Sequence, residues 1–119
     1  MRENSIRTSS LDMLILKILS ENDCYGYQIS QLLRDYSNGV LQIAEAAMYP
    51  ALYRMQEKGY ITDYKVKVGK RRSRVYYHIE EEGETALSAL IAEYQLITKA
   101  TMAVLEHEVD QTQDIAYEE

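Results

Sequence analysis

The densest cluster of charged side chains in this 119-residue chain lies between positions 65 and 74. Six of these ten residues are Lys or Arg, and none is acidic. A cation that neutralises a phosphate releases condensed counterion, so it adds affinity that falls with salt and carries little sequence information. A charge run can also be a solvated surface hairpin, but its position beside a helix-turn-helix pattern favours phosphate binding. The predicted phosphate-binding residues are Lys65, Lys67, Lys70, Arg71, Arg72 and Arg74.

Residues suited to reading bases or anchoring the DNA backbone lie just upstream of this run. Pro50 is tolerated in the first turn of a helix, where its missing N–H has no partner, so a helix should start between Ala44 and Ala47 and end at Gly59. Tyr49 lies near that start, and a tyrosine ring can pack while its hydroxyl reaches a phosphate or a base edge. The candidate contact residues in the two helices are Tyr25, Gln42, Ala46, Ala47, Tyr49, Tyr53 and Arg54.

Two earlier helices must position this one. We expect Ser9 or Ser10 to cap the first helix, whose apolar residues recur at helical spacing from position 11 to 19. Asp23 is expected to cap the second helix, which the turn residues Ser37 to Gly39 end. The third helix then follows at once. In a helix-turn-helix pair, the N-terminal part of the second helix lies at the base edges.

A hairpin follows the third helix. From Ile61 the apolar period changes to two, which predicts a strand to Val68, and a return strand with a matching apolar face ends at Ile79. The Gly-containing basic loop joins the two strands, as suits a hairpin. His78 falls on the outward face of the return strand, where it either contacts DNA or is an ordinary exposed residue.

The C-terminal third is predicted to be one long helix. After Glu80 the helical period returns and continues to about Glu108, so roughly 25 residues would span about 37 Å. Such a helix overshoots a core built by three short helices, and a second copy of the chain is the simplest partner for its apolar stripe. Tyr94 is also the candidate contact for a small ligand, although packing across the dimer is the favoured role. The candidate dimerisation residues are Leu87, Leu90, Ile91, Tyr94, Ile97, Thr101, Val104 and Leu105.

Charge divides the chain in the same way. The formal net charge is −6, but residues 1–79 carry +4 and residues 80–119 carry −10. An acidic C-terminal third must point away from phosphates if the basic part binds them. We therefore predict a mostly α-helical fold with a small β-hairpin, and we expect the chain to divide into three parts. These are a DNA-binding domain (1–79), a dimerisation helix (80–109) and an acidic, disordered tail (110–119).

Several classes of protein are disfavoured. Cys24 is the only cysteine, so an intrachain disulfide or a cysteine-based zinc cluster is excluded, and a small buried thiol in a reducing cytoplasm is expected. No apolar run approaches 18 residues and the first residues lack an apolar signal region, so we expect a cytoplasmic protein without a membrane span. The chain lacks a Gly-rich phosphate loop and a His-Glu-x-x-His motif, and His107 between two glutamates is a poor metal ligand. We expect no enzyme activity, cofactor or metal.

Three segments carry a resemblance to a known family. They are Tyr25 to Ile29 (YGYQI), Met48 to Ile61 (MYPALYRMQEKGYI), and Arg71 to Ile79 with Gly83. Over about residues 9 to 105 the chain resembles the PadR family of winged-helix transcriptional regulators, and its length matches the short subfamily with a single C-terminal helix. The resemblance implies a winged helix-turn-helix fold and a homodimer, formed largely by the C-terminal helix, that represses transcription from a palindromic operator.

The favoured function is therefore a homodimeric repressor that binds double-stranded DNA and is relieved by a small aromatic or hydrophobic effector. The alternative is a winged-helix module that binds another protein through its acidic long helix. Only the first function predicts a steep loss of binding as salt is added.

Overall fold

The computed structural model describes residues 8–109, and the predicted disordered tail from position 110 lies outside them. Within this range the chain folds into four helices and three strands, which confirms a mostly α-helical fold with a small β-hairpin. A two-residue strand before the second helix was not predicted. In chain order the elements are α1 (Thr8–Glu21), β1 (Cys24–Tyr25), α2 (Gly26–Tyr36), α3 (Glu45–Glu57), β2 (Ile61–Lys67), β3 (Ser73–Ile79) and α4 (Glu81–Leu105).

The three strands form one antiparallel sheet in the order β1-β3-β2. In the β2–β3 hairpin, which we call the wing, Ile61 pairs with Ile79 and Lys67 pairs with Ser73. The Val68 N–H donates to the Arg72 carbonyl at 3.0 Å and closes the hairpin. The predicted strands and loop are thus confirmed, and the basic tip of the wing comprises residues 68–72.

The core lies between the inner faces of the helices and the base of the sheet. Met48, Leu52 and Met55 of α3 are buried, and the Cys24 thiol is buried as expected. Burying an aliphatic side chain stabilises the fold by roughly 1.5 to 3 kcal/mol, so these contacts hold α3 and the sheet against α1. The largest fully buried side chains are Ile15, Leu16, Leu19, Ile29, Leu52, Met55, Ile61 and Cys24.

The two predicted N-caps are wrong. Helix α1 begins at Thr8, so Ser9 and Ser10 lie inside it. Asp23 does not cap α2, because β1 takes the next two residues into the sheet and α2 begins only after Tyr25. The Tyr25 N–H is instead bound by Gln28 Oε1 at 3.4 Å.

The ends of α2 and α3 agree with the sequence. Asn38 and Gly39, just past α2, have φ angles of 55° and 82°, and Gly59, just past α3, has a φ angle of 78°. Glycine adopts this left-handed conformation without the clash that a Cβ causes. These residues let the chain reverse after each helix.

Pro50 lies deeper in α3 than the sequence predicted. The helix begins at Glu45, so Pro50 is its sixth residue rather than a member of the first turn. Proline has no N–H, and its ring sits against the carbonyl four residues earlier. The Ala46 carbonyl therefore receives no hydrogen bond from Pro50, at an exposed position near the start of α3.

The first turns of α4 are fixed to the turn that follows α3. The Glu80 N–H donates to the Tyr60 carbonyl at 2.8 Å, and Gly83 packs directly against the same carbonyl, where a Cβ would overlap it. A glycine is needed at this close approach of helix and backbone. Helix α4 then runs along α1 of its own chain.

Only the first part of α4 contributes to the core. Leu87 is 8% exposed and belongs to it, and Leu90 and Ile91 pack partly against it. Leu87 was predicted to lie in a dimer interface, but its side chain is covered by its own chain, and we leave it out of the proposed interface. Every residue from Ala92 to Val109 is exposed. Among the described residues, no helix is long and apolar enough to cross a bilayer.

Candidate nucleic-acid interface

One surface is formed by the start of α3 and the turn before it. Ala46 and Ala47 are exposed, so base edges could approach the α3 backbone there. Gln42 in the preceding turn and Tyr53 one turn later are exposed as well, and the Tyr53 side chain is 62% exposed. The structure therefore leaves these four residues accessible at the start of α3 and in the turn before it.

The basic residues of the wing are all exposed, but they do not share one face. Side chains alternate across a strand, and the register pairs Lys65 with Val75 and Val66 with Arg74. Lys65 and Lys67 thus project from the face that carries Val75, while Arg74 projects from the opposite face. The other three cations, Lys70, Arg71 and Arg72, lie at the tip between the strands.

Arg74 is held against the start of α2. Its guanidinium carbon lies 4.3 Å from the centroid of the Tyr25 ring. The Tyr25 ring meets the Tyr76 ring edge to face at a centroid distance of 5.5 Å, and Tyr76 stacks on Tyr64 at 5.8 Å. A cation over an aromatic ring is worth roughly 0.5 to 1 kcal/mol at an exposed site. These contacts connect the wing to the helix-turn-helix pair along the outer face of the sheet.

Tyr49 of α3 closes a small crevice beside this contact. Its side chain is 49% exposed, and a Cβ built at Gly26 would lie only 2.5 Å from the Tyr49 hydroxyl oxygen. Gly26 therefore lets α3 approach the start of α2. The crevice has a volume of about 400 Å³ and is lined by Tyr25, Gly26, Tyr27, Tyr49, Arg74, Val75 and Tyr77.

We expect Tyr49→Phe to fold normally and to bind DNA about fivefold more weakly, because a hydrogen bond of ordinary strength contributes roughly 1 kcal/mol. Titration of labelled DNA measures the affinity, and thermal unfolding measures the fold. Tyr36→Phe is the matched control, since that hydroxyl is bound to Glu21 at 3.2 Å. A Tyr49→Phe protein that melts earlier but binds normally once folded would make Tyr49 a packing residue.

Arg54 has a different environment from the other predicted contacts. Its guanidinium donates to the Asp12 carboxylate at 2.6 Å, and Asp12 is 8% exposed on α1. We therefore assign Arg54 to the packing of α3 on α1 and leave it out of the DNA surface. The signal in the sequence was Asp12, an acid among the closely spaced apolar residues of α1, since a buried carboxylate requires a partner.

The sequence missed a polar cluster on the outer face of the wing. Asp23 accepts a hydrogen bond from the Tyr64 hydroxyl at 2.6 Å, and its other carboxylate oxygen lies 2.8 Å from His78 Nδ1. We call these three residues the Asp23 cluster. His78 is thus the partner of a carboxylate, which neither sequence-based interpretation of it included.

Hydrogen bonding shifts the titration of all three groups. The bond from Tyr64 lowers the pKa of the Asp23 carboxyl, and the bond and charge of His78 lower it further. The bond to Asp23 raises the pKa of the His78 imidazole and of the Tyr64 phenol above their ordinary values. The structure therefore favours an anionic Asp23 beside a protonated His78 and a protonated Tyr64.

The distal part of α4 presents a second surface. Tyr94 and Ile97 are 50% and 57% exposed, and Val104 and Leu105 exceed 70%. Thr101 is also exposed, which leaves this part of the predicted stripe accessible. The apolar stripe predicted from the sequence does not include Leu96, which is 70% exposed and lies about 100° around the helix from Ile97.

The helix-turn-helix pair, the three-stranded sheet and the projecting basic hairpin together define a winged helix-turn-helix protein. The family model described as the transcriptional regulator PadR-like family matches residues 15–89. The chain belongs to this family, whose members are transcriptional regulators rather than enzymes.

Individual relatives agree with this assignment. Uncharacterized protein X of Lysinibacillus sphaericus is 36% identical over 94 residues, which cover 79% of this chain and 86% of that protein. A transcriptional regulator from Clostridium thermocellum is similar in structure, with a TM-score of 0.74, 32% identity, and coverage of 78% of this chain and 90% of its own. A PadR family transcription regulator from Clostridium difficile R20291 has a TM-score of 0.69, 33% identity, and coverage of 80% and 97%.

Proposed function

We propose that this transcriptional regulator binds double-stranded DNA through α3 and the wing. The observation that carries the proposal is the exposed, acid-free basic run of the wing, whose Arg74 lines the same crevice as Tyr49 of α3. Basic side chains supply salt-dependent affinity for phosphates, whereas the start of the second helix of a helix-turn-helix pair lies at base edges. The two surfaces thus divide affinity and sequence reading between them.

The distribution of charge supports the same orientation. The described part of α4 carries Glu81, Glu82, Glu84 and Glu93 against the single basic residue Lys99. A helix with this charge is repelled by phosphates and is best placed on the far side of the protein from DNA. The overall negative charge of the chain is therefore compatible with a DNA-binding wing.

We further propose that the protein acts as a homodimer. The exposed distal part of α4 carries large apolar side chains that one chain leaves uncovered, and contiguous apolar surface of this kind marks an interaction site. A two-fold dimer buries the same stripe on both chains and presents two recognition helices. Such a dimer reads two half-sites related by symmetry, so the operator would be palindromic.

The proposed regulatory role is repression of transcription. The resemblance to the PadR family favours a cytoplasmic repressor whose operator complex is relieved by a small aromatic or hydrophobic effector. Tyr94 is the proposed effector contact, because its half-exposed ring lies on the helix that would form the dimer. An aromatic effector that stacks on this ring would change its fluorescence and the affinity for DNA together.

A salt series on retained DNA tests this function. Fragments captured by the purified protein from genomic DNA would be titrated by fluorescence anisotropy between 50 and 300 mM salt. If all six basic residues of the wing neutralise a phosphate, the slope of log K against log salt should approach roughly −5 per protomer. A shallow slope, or no retained fragment, would favour the alternative module that binds a protein through α4.

A further inference from the structure

We propose that Asp23 is a positioning residue that sets the direction of the wing on DNA by holding both of its strands to the turn between α1 and α2. The inference rests on the DNA-binding function proposed above and adds to it a residue that contacts no DNA. Its structural basis is the Asp23 cluster, in which one carboxylate joins Tyr64 of β2 and His78 of β3.

The wing depends on contacts of this kind because only its base is packed. Ile61, Tyr77 and Ile79 are buried, whereas every residue from Thr62 to Arg74 is exposed. The strand β1 supports β3 over only two residue pairs. A two-stranded ribbon is marginally stable alone, so contacts on its outer face determine where the basic tip points.

The Asp23 cluster extends that support toward the tip. His78 lies opposite Thr62 near the base, and Tyr64 lies opposite Tyr76 two residue pairs further out. The Tyr64 ring also stacks on Tyr76, whose ring meets Tyr25 beneath Arg74. Asp23 therefore anchors one end of a continuous row of contacts that ends at a basic residue of the proposed DNA surface.

Protonation of His78 should regulate how strongly Asp23 holds the wing. The cleft around the imidazole has a volume of about 770 Å³, and among the residues that the structure describes His78 is the only basic side chain that lines it. Acidic groups face the cleft from α1, from the turn, from the end of β3 and from α4, and the Tyr64 and Tyr76 phenols line it from β2 and β3. The acidic residues are Glu21, Asp23, Glu80, Glu81 and Glu84.

The direction of the pH effect follows from the shifts within the cluster. The pKa of His78 is raised in the fold, so its contribution is full below about 6.5 and is lost as pH rises through the higher folded value. The pKa of Asp23 is lowered, so its contribution is present above about 3.9 and is lost only in stronger acid. The charged contact between Asp23 and His78 is therefore strongest near pH 6 and weakens toward pH 8.

Removing the charge of Asp23 separates positioning from simple electrostatics. Asp23→Asn makes the protein less negative, which by charge alone should tighten DNA binding. If Asp23 positions the wing, the same variant should bind about threefold more weakly at pH 6, in the range expected when an exposed ion pair is lost. Glu81→Gln is the matched control, because it removes one negative charge from the same cleft and no hydrogen bond of the Asp23 cluster.

The experiment measures anisotropy of a retained DNA fragment from pH 6 to 8 at constant ionic strength. The wild type should lose about threefold in affinity toward pH 8, whereas Asp23→Asn and His78→Gln should be flat. Tyr64→Phe, which keeps the ring but loses the hydroxyl bond, should bind severalfold more weakly and retain the pH profile. His107→Gln should behave as the wild type, because His107 lies beyond α4.

A second measurement reports the cluster without DNA. The His78 imidazole, followed by nuclear magnetic resonance, should titrate above its ordinary pKa in the wild type and return toward it in Asp23→Asn. Asp23→Asn that binds DNA as tightly as Glu81→Gln, or keeps the wild-type pH profile, overturns the positioning role alone. A wild type that binds no DNA at any salt concentration overturns the proposed function and this role with it, even if His78 titrates as expected.

Discussion

Ile97→Glu should convert the protein from a dimer to a monomer at micromolar concentration. The Ile97 side chain is 57% exposed on the distal part of α4, where its own chain leaves it uncovered. Burial of an isoleucine is worth roughly 1.5 to 3 kcal/mol, and a two-fold interface counts the loss twice. A buried glutamate without a partner adds a desolvation cost, so the dimer should lose several kcal/mol.

Sedimentation equilibrium of wild type and variant measures this effect directly. Leu96→Glu is the matched control, because it adds the same charge at the neighbouring exposed position, about 100° around the helix from Ile97. The control should remain dimeric while Ile97→Glu sediments as a monomer. A monomeric wild type, or an Ile97→Glu protein that stays dimeric, would contradict the proposed interface.

The same variant tests the link between dimerisation and operator binding. One recognition helix reads one half-site, so the monomer should keep weak, salt-sensitive binding to DNA in general. It should lose the tight complex with the retained fragment. Full operator affinity in a monomeric variant would show that a single chain is sufficient.

The second large effect is expected at the wing. Replacing Arg71, Arg72 and Arg74 together with Ala should weaken binding to all DNA sequences and reduce the slope of log K against log salt by about 2 to 3 in magnitude. Each arginine that neutralises one phosphate accounts for about 0.9 of that slope. An unchanged slope would exclude the wing from the DNA interface.

A charge-matched control separates local contact from overall charge. Replacing Lys17, Arg34 and Lys99 with Ala removes an equal number of positive charges, three in all, but from α1, the end of α2 and α4. This control should keep the wild-type slope, because phosphate contacts are counted locally rather than through net charge. Circular dichroism of both triple variants verifies the fold, which matters because Arg74 also packs over Tyr25.

The sequence by itself determined the elements and the distribution of charge. The change of apolar period at Ile61 identified the hairpin, and Asn38, Gly39 and Gly59 marked helix ends that the structure confirms through their positive φ angles. The basic tip and the long apolar stripe of α4 were likewise apparent. These features are local, because helix and strand periods and turn residues act over a few neighbouring positions.

Only the tertiary structure decided which polar side chains meet. Asp12 and Arg54 are 42 positions apart, and Asp23 lies 41 and 55 positions from its two partners. Sequence periodicity places a residue on a face of its own element but carries no information on which other element covers that face. The sequence pattern therefore predicts a helix cap at Asp23 and a DNA contact at Arg54, whereas in the structure each binds a distant side chain.

The same reason explains Leu87 and the short strand β1. The apolar stripe of α4 is continuous in the sequence, and only the packing of α4 along α1 divides it into a core part with Leu87 and an exposed part with Ile97. A strand of two residues, Cys24 and Tyr25, has no period to detect, and it exists because β3 offers hydrogen bonds beside it. That pairing displaces the start of α2 and leaves the Asp23 carboxylate to bind the wing.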